Sequence, residues 1–196
     1  MIHNFIRSQR RHRGSAILSA IVVIVALTVS NVAAPAPAYA ASAGSVKATW
    51  QDAKGRTITL RHGNWSAKTN TGFGWAKVVG KHGIASTATL KFITRNPDGG
   101  KAEGTSRVYT AYANKTVCSN GKCRLLESRQ VKLVHHNGYV NIYYGASVKG
   151  TLGVQTAYCV NPDRSAKCPP WVDRALNGRA LSSASETVEW SYAPRR

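Results

Sequence analysis

The chain of 196 residues carries 27 Lys and Arg against eight Asp and Glu, a formal charge of +19. Acids so few, scattered singly, leave little for the paired carboxylates of glycoside hydrolysis, and neither Gly-x-Ser-x-Gly nor His-Glu-x-x-His is present. A positive excess of this size draws a protein to polyanions, with an affinity that salt weakens steeply.

Residues 1–40 read as an export signal. Arg7, Arg10, Arg11 and Arg13 form a basic head, residues 16–29 are nearly all apolar, and Ala38-Tyr39-Ala40 supplies the small-x-small pattern that signal peptidase reads, with cleavage after Ala40. The competing reading is an uncleaved anchor, since residues 16–34 make 19 positions, near the lower limit for spanning a bilayer. Pro35 and Pro37, directly before the cleavage pattern, favour the signal. Arg10-Arg11 lacks the following apolar residues of a twin-arginine leader, which points to the general secretory route. The long basic head resembles the signals of Gram-positive bacteria. Without the leader the chain keeps 23 basic and eight acidic residues, a formal +15. Residues 41–196 are then one secreted β domain, without a transmembrane segment and large enough to bury a core.

Along that domain the apolar period is two. Ile58 and Leu60 alternate with Thr57, Thr59 and Arg61; Ala88, Leu90 and Phe92 with Thr87, Thr89 and Lys91; Val188, Trp190 and Tyr192 with Thr187, Glu189 and Ser191. Turn chemistry falls at residues 52–55 and 96–100, at Asn120-Gly121 and at Asn137-Gly138. An Asn137-Gly138 hairpin pairs His136 with Tyr139, and sets His135 against Val140, Leu133 against Ile142 and Val131 against Tyr144 on one nearly apolar face. The one expected helix lies in residues 169–178, opened by proline and closed by Gly178. These signals predict an all-β fold, an antiparallel sandwich or strongly curled sheet of about eight or nine strands.

For an exported chain, Cys118, Cys123, Cys159 and Cys168 read as two disulfides. An Asn120-Gly121 turn makes Ser119 and Lys122 its hydrogen-bonded pair. Cys118 and Cys123 then face each other in the closer, non-hydrogen-bonded site, leaving Cys159 for Cys168. Each short ring adds roughly 2–3 kcal/mol in the chain-entropy model. The spacings do not match zinc knuckles, and no metal or cofactor is expected.

Three constellations compete for function. Trp65 with Lys68, Lys77 and Lys81, beside Phe73 and Trp75, combines aromatic rings with cations suited to sugars or bases on an anionic chain. Phe73 and Trp75, two apart on a strand, point together into the core, with Trp65 outside. The Cys159–Cys168 loop presents Arg164 and Lys167 as a tethered protease inhibitor does. His62 and His82, each before glycine at a strand end, with Lys68 or Lys81, form a possible acid–base pair for RNA cleavage, although no carboxylate accompanies either. His135 and His136 are strand neighbours on opposite faces and cannot share a metal ion. No catalytic residue is assigned. The preferred expectation is a secreted, non-enzymatic binder of an anionic polymer or envelope surface; a protease inhibitor and a histidine-dependent ribonuclease are the alternatives, with nucleic acid or an extracellular protease as partner.

Overall fold

The computed structural model describes residues 42–177 and 186–195; the expected leader and Gly178 lie outside them. Among the described residues no helix is long and apolar enough to cross a membrane.

The described residues begin with a hairpin of β1 (Val46–Gln51) and β2 (Thr57–Arg61), turned at residues 52–55 as expected, followed by a small hairpin of β3 (Asn64–Ser66) and β4 (Thr71–Phe73). Two helices follow, α1 (Gly74–His82) and α2 (Thr87–Thr94). A five-stranded antiparallel sheet comes next, from β5 (Lys101–Glu103), β6 (Ser106–Ser119), β7 (Lys122–Tyr143), β8 (Ala146–Val160) and, after α3 (Pro170–Leu176), β9 (Glu186–Ser191). β5 and β9 share one edge of β6, β7 lies along the other, and β8 pairs with β7. The fold is mostly β and antiparallel with two disulfides. The layer packed on the sheet consists of the β1–β2 hairpin and three helices, rather than the second sheet of a sandwich.

The Asn120-Gly121 turn forms as its chemistry requires. Both residues take left-handed φ values, 51° and 72°, Ser119 pairs with Lys122, and Cys118 faces Cys123 at a Cα separation of 4.0 Å. The second disulfide joins Cys159 and Cys168. Helix α3 lies in the predicted segment, with Trp171, Val172, Ala175 and Leu176 buried.

Two expectations are overturned. Residues 87–94 form a helix, not a strand: Ser86 caps it by accepting from the Ala88 N–H at 3.2 Å, and the buried positions Thr89, Leu90, Ile93 and Thr94 follow helical spacing. Asn137-Gly138 is not a hairpin turn. Strand β7 runs through it, with the register shifting between His136↔Gly153 and Tyr139↔Thr151, so that two residues oppose Leu152 alone, a bulge. The hairpin turns instead at Tyr144 and Gly145, with φ of 44° and 77°. The bulge explains why the expected inner face holds for Val131, Leu133 and His135, all buried, but fails for Ile142, which is 70% exposed.

The β1–β2 hairpin meets three sheet strands through buried polar groups. The Asp52 carboxylate accepts from Tyr109 Oη on β6 at 2.7 Å. The Thr59 N–H donates to His135 Nε2 on β7 at 3.3 Å, which puts the His135 proton on Nδ1, bonded to Asn137 Oδ1 at 2.8 Å. The Arg61 guanidinium donates to the Thr151 carbonyl on β8 at 2.8 Å and to the Gly44 carbonyl. Backbones come so close here that a Cβ on Gly153 would lie 2.1 Å from the Thr59 carbonyl oxygen, and this glycine also holds φ at 84°.

Asp52 also accepts from the Lys54 and Arg56 N–H groups and from Arg56 Nε, at 2.7 to 2.9 Å. Burial alone raises its pKa, but the bonds from Tyr109, Arg56 and Lys54 outweigh that and hold it at about 2, against an ordinary 3.8. A carboxyl with a depressed folded pKa contributes stability that is full above its unfolded value and is lost as pH falls through the folded one. Replacing Asp52 by Asn is therefore expected to cost about 2 kcal/mol at pH 7. In urea unfolding the stabilities of the two proteins converge between about pH 4 and pH 2; a pH-independent difference refutes the ionic role.

Candidate functional site

Helix α1 organises the expected aromatic and cationic segment. Phe73 is fully buried as its N-cap, in the second, smaller core cluster with Ala146, Val148 and Leu152. Trp75 sits two residues on but in the helix, half-buried, with Lys47 Nζ 5.4 Å from its ring centroid. Phe73 and Trp75 thus do not enter the core together as strand neighbours. Trp65 on β3 is half-buried against the helix: a Cβ on Gly80 would stand 2.7 Å from Trp65 Cδ1, so the glycine leaves room for the indole. Lys81 Nζ lies 5.3 Å from the Trp65 ring centroid, within cation–π range. Trp65, Lys77 and Lys81 are brought to one neighbourhood, while Lys68 stands exposed in the β3–β4 turn.

At its C-terminus α1 stops on Gly83, whose φ of 71° allows its N–H and that of Ile84 to close on the carbonyls of Val79 and Val78. The Cys159–Cys168 loop completes the end: the Cys168 N–H donates to the His82 carbonyl at 2.8 Å, and His82 Nδ1 lies 2.8 Å from the Ala166 carbonyl. A carbonyl only accepts, so Nδ1 carries the proton and Nε2 keeps its lone pair. His82 is 3% exposed. Burial foremost, then the charges of Lys81 and Lys77, lower its pKa from 6.5 to about 4 against a raising contribution from Ala166. Burial and Lys81 likewise lower the pKa of Lys77.

His82, Lys77 and Lys81 line a cavity of about 220 Å³ together with Ala166, Thr156 and Tyr158. Thr156 and Tyr158 are two apart on β8 and share a face. The Tyr158 and His82 ring centroids are 5.8 Å apart. His82 Nε2 and Thr156 Oγ1 are both buried without a hydrogen-bond partner. A buried polar atom left unpaired costs about 1–3 kcal/mol, so both atoms call for a polar partner. The cavity lining has two cations, one neutral imidazole and no carboxylate. Sequence reasoning found Lys77, Lys81 and His82 but not Thr156 or Tyr158, whose approach to α1 comes from a pairing distant in sequence.

A wider cleft of about 580 Å³ is lined by Lys47, Trp75, Asp173 and Asn177, among others. Its carboxylate is already committed: Asp173 accepts from the Ala85 N–H at 3.2 Å and from Thr89 Oγ1 at 2.6 Å. That cleft is lined in part by α3, through Asp173.

The other constellations come out differently. The His62 carbonyl accepts from the Ala76 N–H at the start of α1, whereas His82 ends it, six residues or about 9 Å of helix later. The two histidines stand at opposite ends of the helix and do not form a pair. Arg164 closes a turn by donating its N–H to the Asn161 carbonyl at 3.0 Å and has a φ of 60°, while Asn161 Nδ2 braces the Ser165 and Lys167 carbonyls. A protease reads an extended segment through main-chain pairing, and this loop is rigid but folded, so the geometry of Arg164 and Lys167 does not favour inhibition. His135 is buried and His136 half-buried, with His136 Nε2 3.1 Å from Thr105 Oγ1. Among the described residues no group of three His, Cys, Asp or Glu is placed to hold a metal. The chain matches no family model, no curated protein and no solved structure.

The site has a pH signature. An unfolded histidine titrates near 6.5 and folded His82 at about 4, so between these values the unfolded chain binds a proton the native one refuses. Stability from this group is full above pH 6.5 and falls as pH drops toward 4, by about 3 kcal/mol. Burial depresses His135 in the same direction. Replacing His82 by Leu is expected to flatten that acid slope, leaving the His135 part, in unfolding measured from pH 7 to pH 4. An unchanged slope shows that His82 is not the proton acceptor.

Proposed function

We propose that the protein is a secreted, strongly basic, non-enzymatic binding protein directed to an anionic polymer or cell-envelope surface. The observation that carries this reading is the pairing of Lys77 and Lys81 on a cavity free of carboxylates, with Lys81 held against Trp65. Burial first and the neighbouring Lys81 charge second depress Lys77, and an anion beside it relieves both. Aromatic rings beside cations suit a polymer that presents both charge and an apolar ring face.

The rest of the chain supports an extracellular setting. Both pairs of cysteines form disulfides, bonds that persist in oxidising compartments, and residues 1–40 have the composition of an export signal. Asp52, Glu127 and Glu189 are held in ion pairs with Arg56, Arg129 and Arg195, and no acid lines the cavity. Lys68 adds a further exposed cation in the β3–β4 turn.

Co-sedimentation with isolated cell envelopes tests this. Retention is expected at low salt, release at high salt, and replacing Lys68, Lys77 and Lys81 by Gln should reduce the slope of log affinity against log salt by about one per lysine that contacts the polymer. Retention that salt does not alter, or a slope untouched by the triple variant, refutes the proposal at this site.

A further inference from the structure

The cavity at the end of α1 asks for two kinds of group at once, and this narrows what an anionic polymer must offer. His82 Nε2 is an acceptor, because the proton sits on Nδ1 against the Ala166 carbonyl. Its partner must therefore be a donor, and a fully ionised anion has none to give. Lys77 and Lys81 are donors with full charge and want an anionic oxygen. Thr156 Oγ1, buried and without a partner, serves as donor or acceptor. A ligand that satisfies all of these carries a hydroxyl close to an anionic group.

Size and field restrict it further. About 220 Å³ is below the roughly 300–1,000 Å³ of drug-sized sites and gives room for one small unit of a chain. The cavity lies at the last turn of α1, where the helix dipole is negative, so a single negative charge is tolerated better than a phosphate dianion. The Tyr158 ring in the wall offers an apolar face for ring C–H groups.

Resting on the polyanion reading above, we propose that this cavity is a subsite for one carboxylated sugar residue: a ring hydroxyl donates to His82 Nε2, Thr156 Oγ1 bonds a second ring oxygen, and the carboxylate lies between the Lys77 and Lys81 ammonium groups. The lining has no carboxylate to act as the acid or nucleophile of glycoside hydrolysis.

The test is a titration of the full-length protein, nitrogen-15 labelled at histidine, with sodium glucuronate. Glucose, sulfate and glycerol 3-phosphate serve as comparison ligands. Glucuronate is expected to shift the His82 Nε2 resonance and leave that of His135 in place. Glucose lacks the charge and sulfate lacks the donor, so each should bind about tenfold more weakly or worse. Thr156→Val removes a hydroxyl that has no partner in the protein, so it should preserve stability and weaken glucuronate about 3- to 10-fold. Lys77→Gln should weaken it by about tenfold. Glucose or sulfate binding as tightly as glucuronate overturns the proposal, as does tighter binding of glycerol 3-phosphate, which makes the cavity a polyol-phosphate site. An unmoved His82 signal with an unaffected Thr156→Val variant also overturns it and assigns the orphan atoms to a structural water. If that result comes with salt-sensitive retention on envelopes, the polyanion reading stands and only this subsite fails; if retention is also absent, both fail.

Discussion

The loop closed by Cys159 and Cys168 holds the Ala166 carbonyl 2.8 Å from His82 Nδ1, and this contact decides which nitrogen of a buried imidazole keeps its proton. Everything else at the site follows from that choice. With Nδ1 protonated, the unpaired Nε2 is an acceptor on a residue that lines the cavity together with two lysines, which are donors. Burial and those cations then keep the ring neutral down to about pH 4. The disulfide contributes more than unfolded-state entropy, because its loop also caps α1 through the Cys168 N–H and so fixes the helix end on which Lys77 and Lys81 ride.

The helix end is in turn positioned by how the first hairpin lies on the sheet. Asp52, Thr59 and Arg61 each make a buried polar contact with a different strand, to Tyr109, His135 and Thr151. Apolar contacts alone fix such a layer poorly, because they are non-directional. Three directional joints, each leaving a costly unpaired group if the hairpin slides by one residue, define a single placement. Arg61 ends β2 and the His62 carbonyl accepts the first-turn N–H of α1, so the placement passes straight into the helix. The polar residues buried between the layers therefore set register, while the apolar core supplies the driving force.

What was legible in the sequence was local. The Asn120-Gly121 turn and its flanking disulfide follow from φ preferences within six residues, and α3 from its opening proline. The same turn chemistry misled at Asn137-Gly138, where a bulge absorbs the pair and Tyr144 accepts a left-handed φ in its place. Helix α2 was hidden because its two buried threonines, Thr89 and Thr94, count as polar in any periodicity, which left Ala88, Leu90 and Phe92 as a false alternation. At the site, Lys77, Lys81 and Trp65 stood out by proximity in the chain. Thr156 did not, since an ordinary strand threonine becomes significant only when the fold leaves its buried hydroxyl without a partner.

The distribution of the acids bears on the same question. Asp52 holds Arg56 and Tyr109, Glu127 pairs with Arg129 at 2.6 Å, Glu189 pairs with Arg195, and Asp173 fastens α3 to α2 through Thr89. Asp163 is spent within its own loop on the Ser165 N–H. Among the described residues these five acids thus have structural partners, and none lines the cavity of His82. A protein whose charge served only solubility would gain nothing from keeping acids away from one cavity while setting two lysines beside it. Long-range charge brings any polyanion near, with little discrimination. In the proposed reading the acceptor at His82 Nε2 discriminates, because a ligand that brings charge without a hydroxyl leaves that atom unpaired.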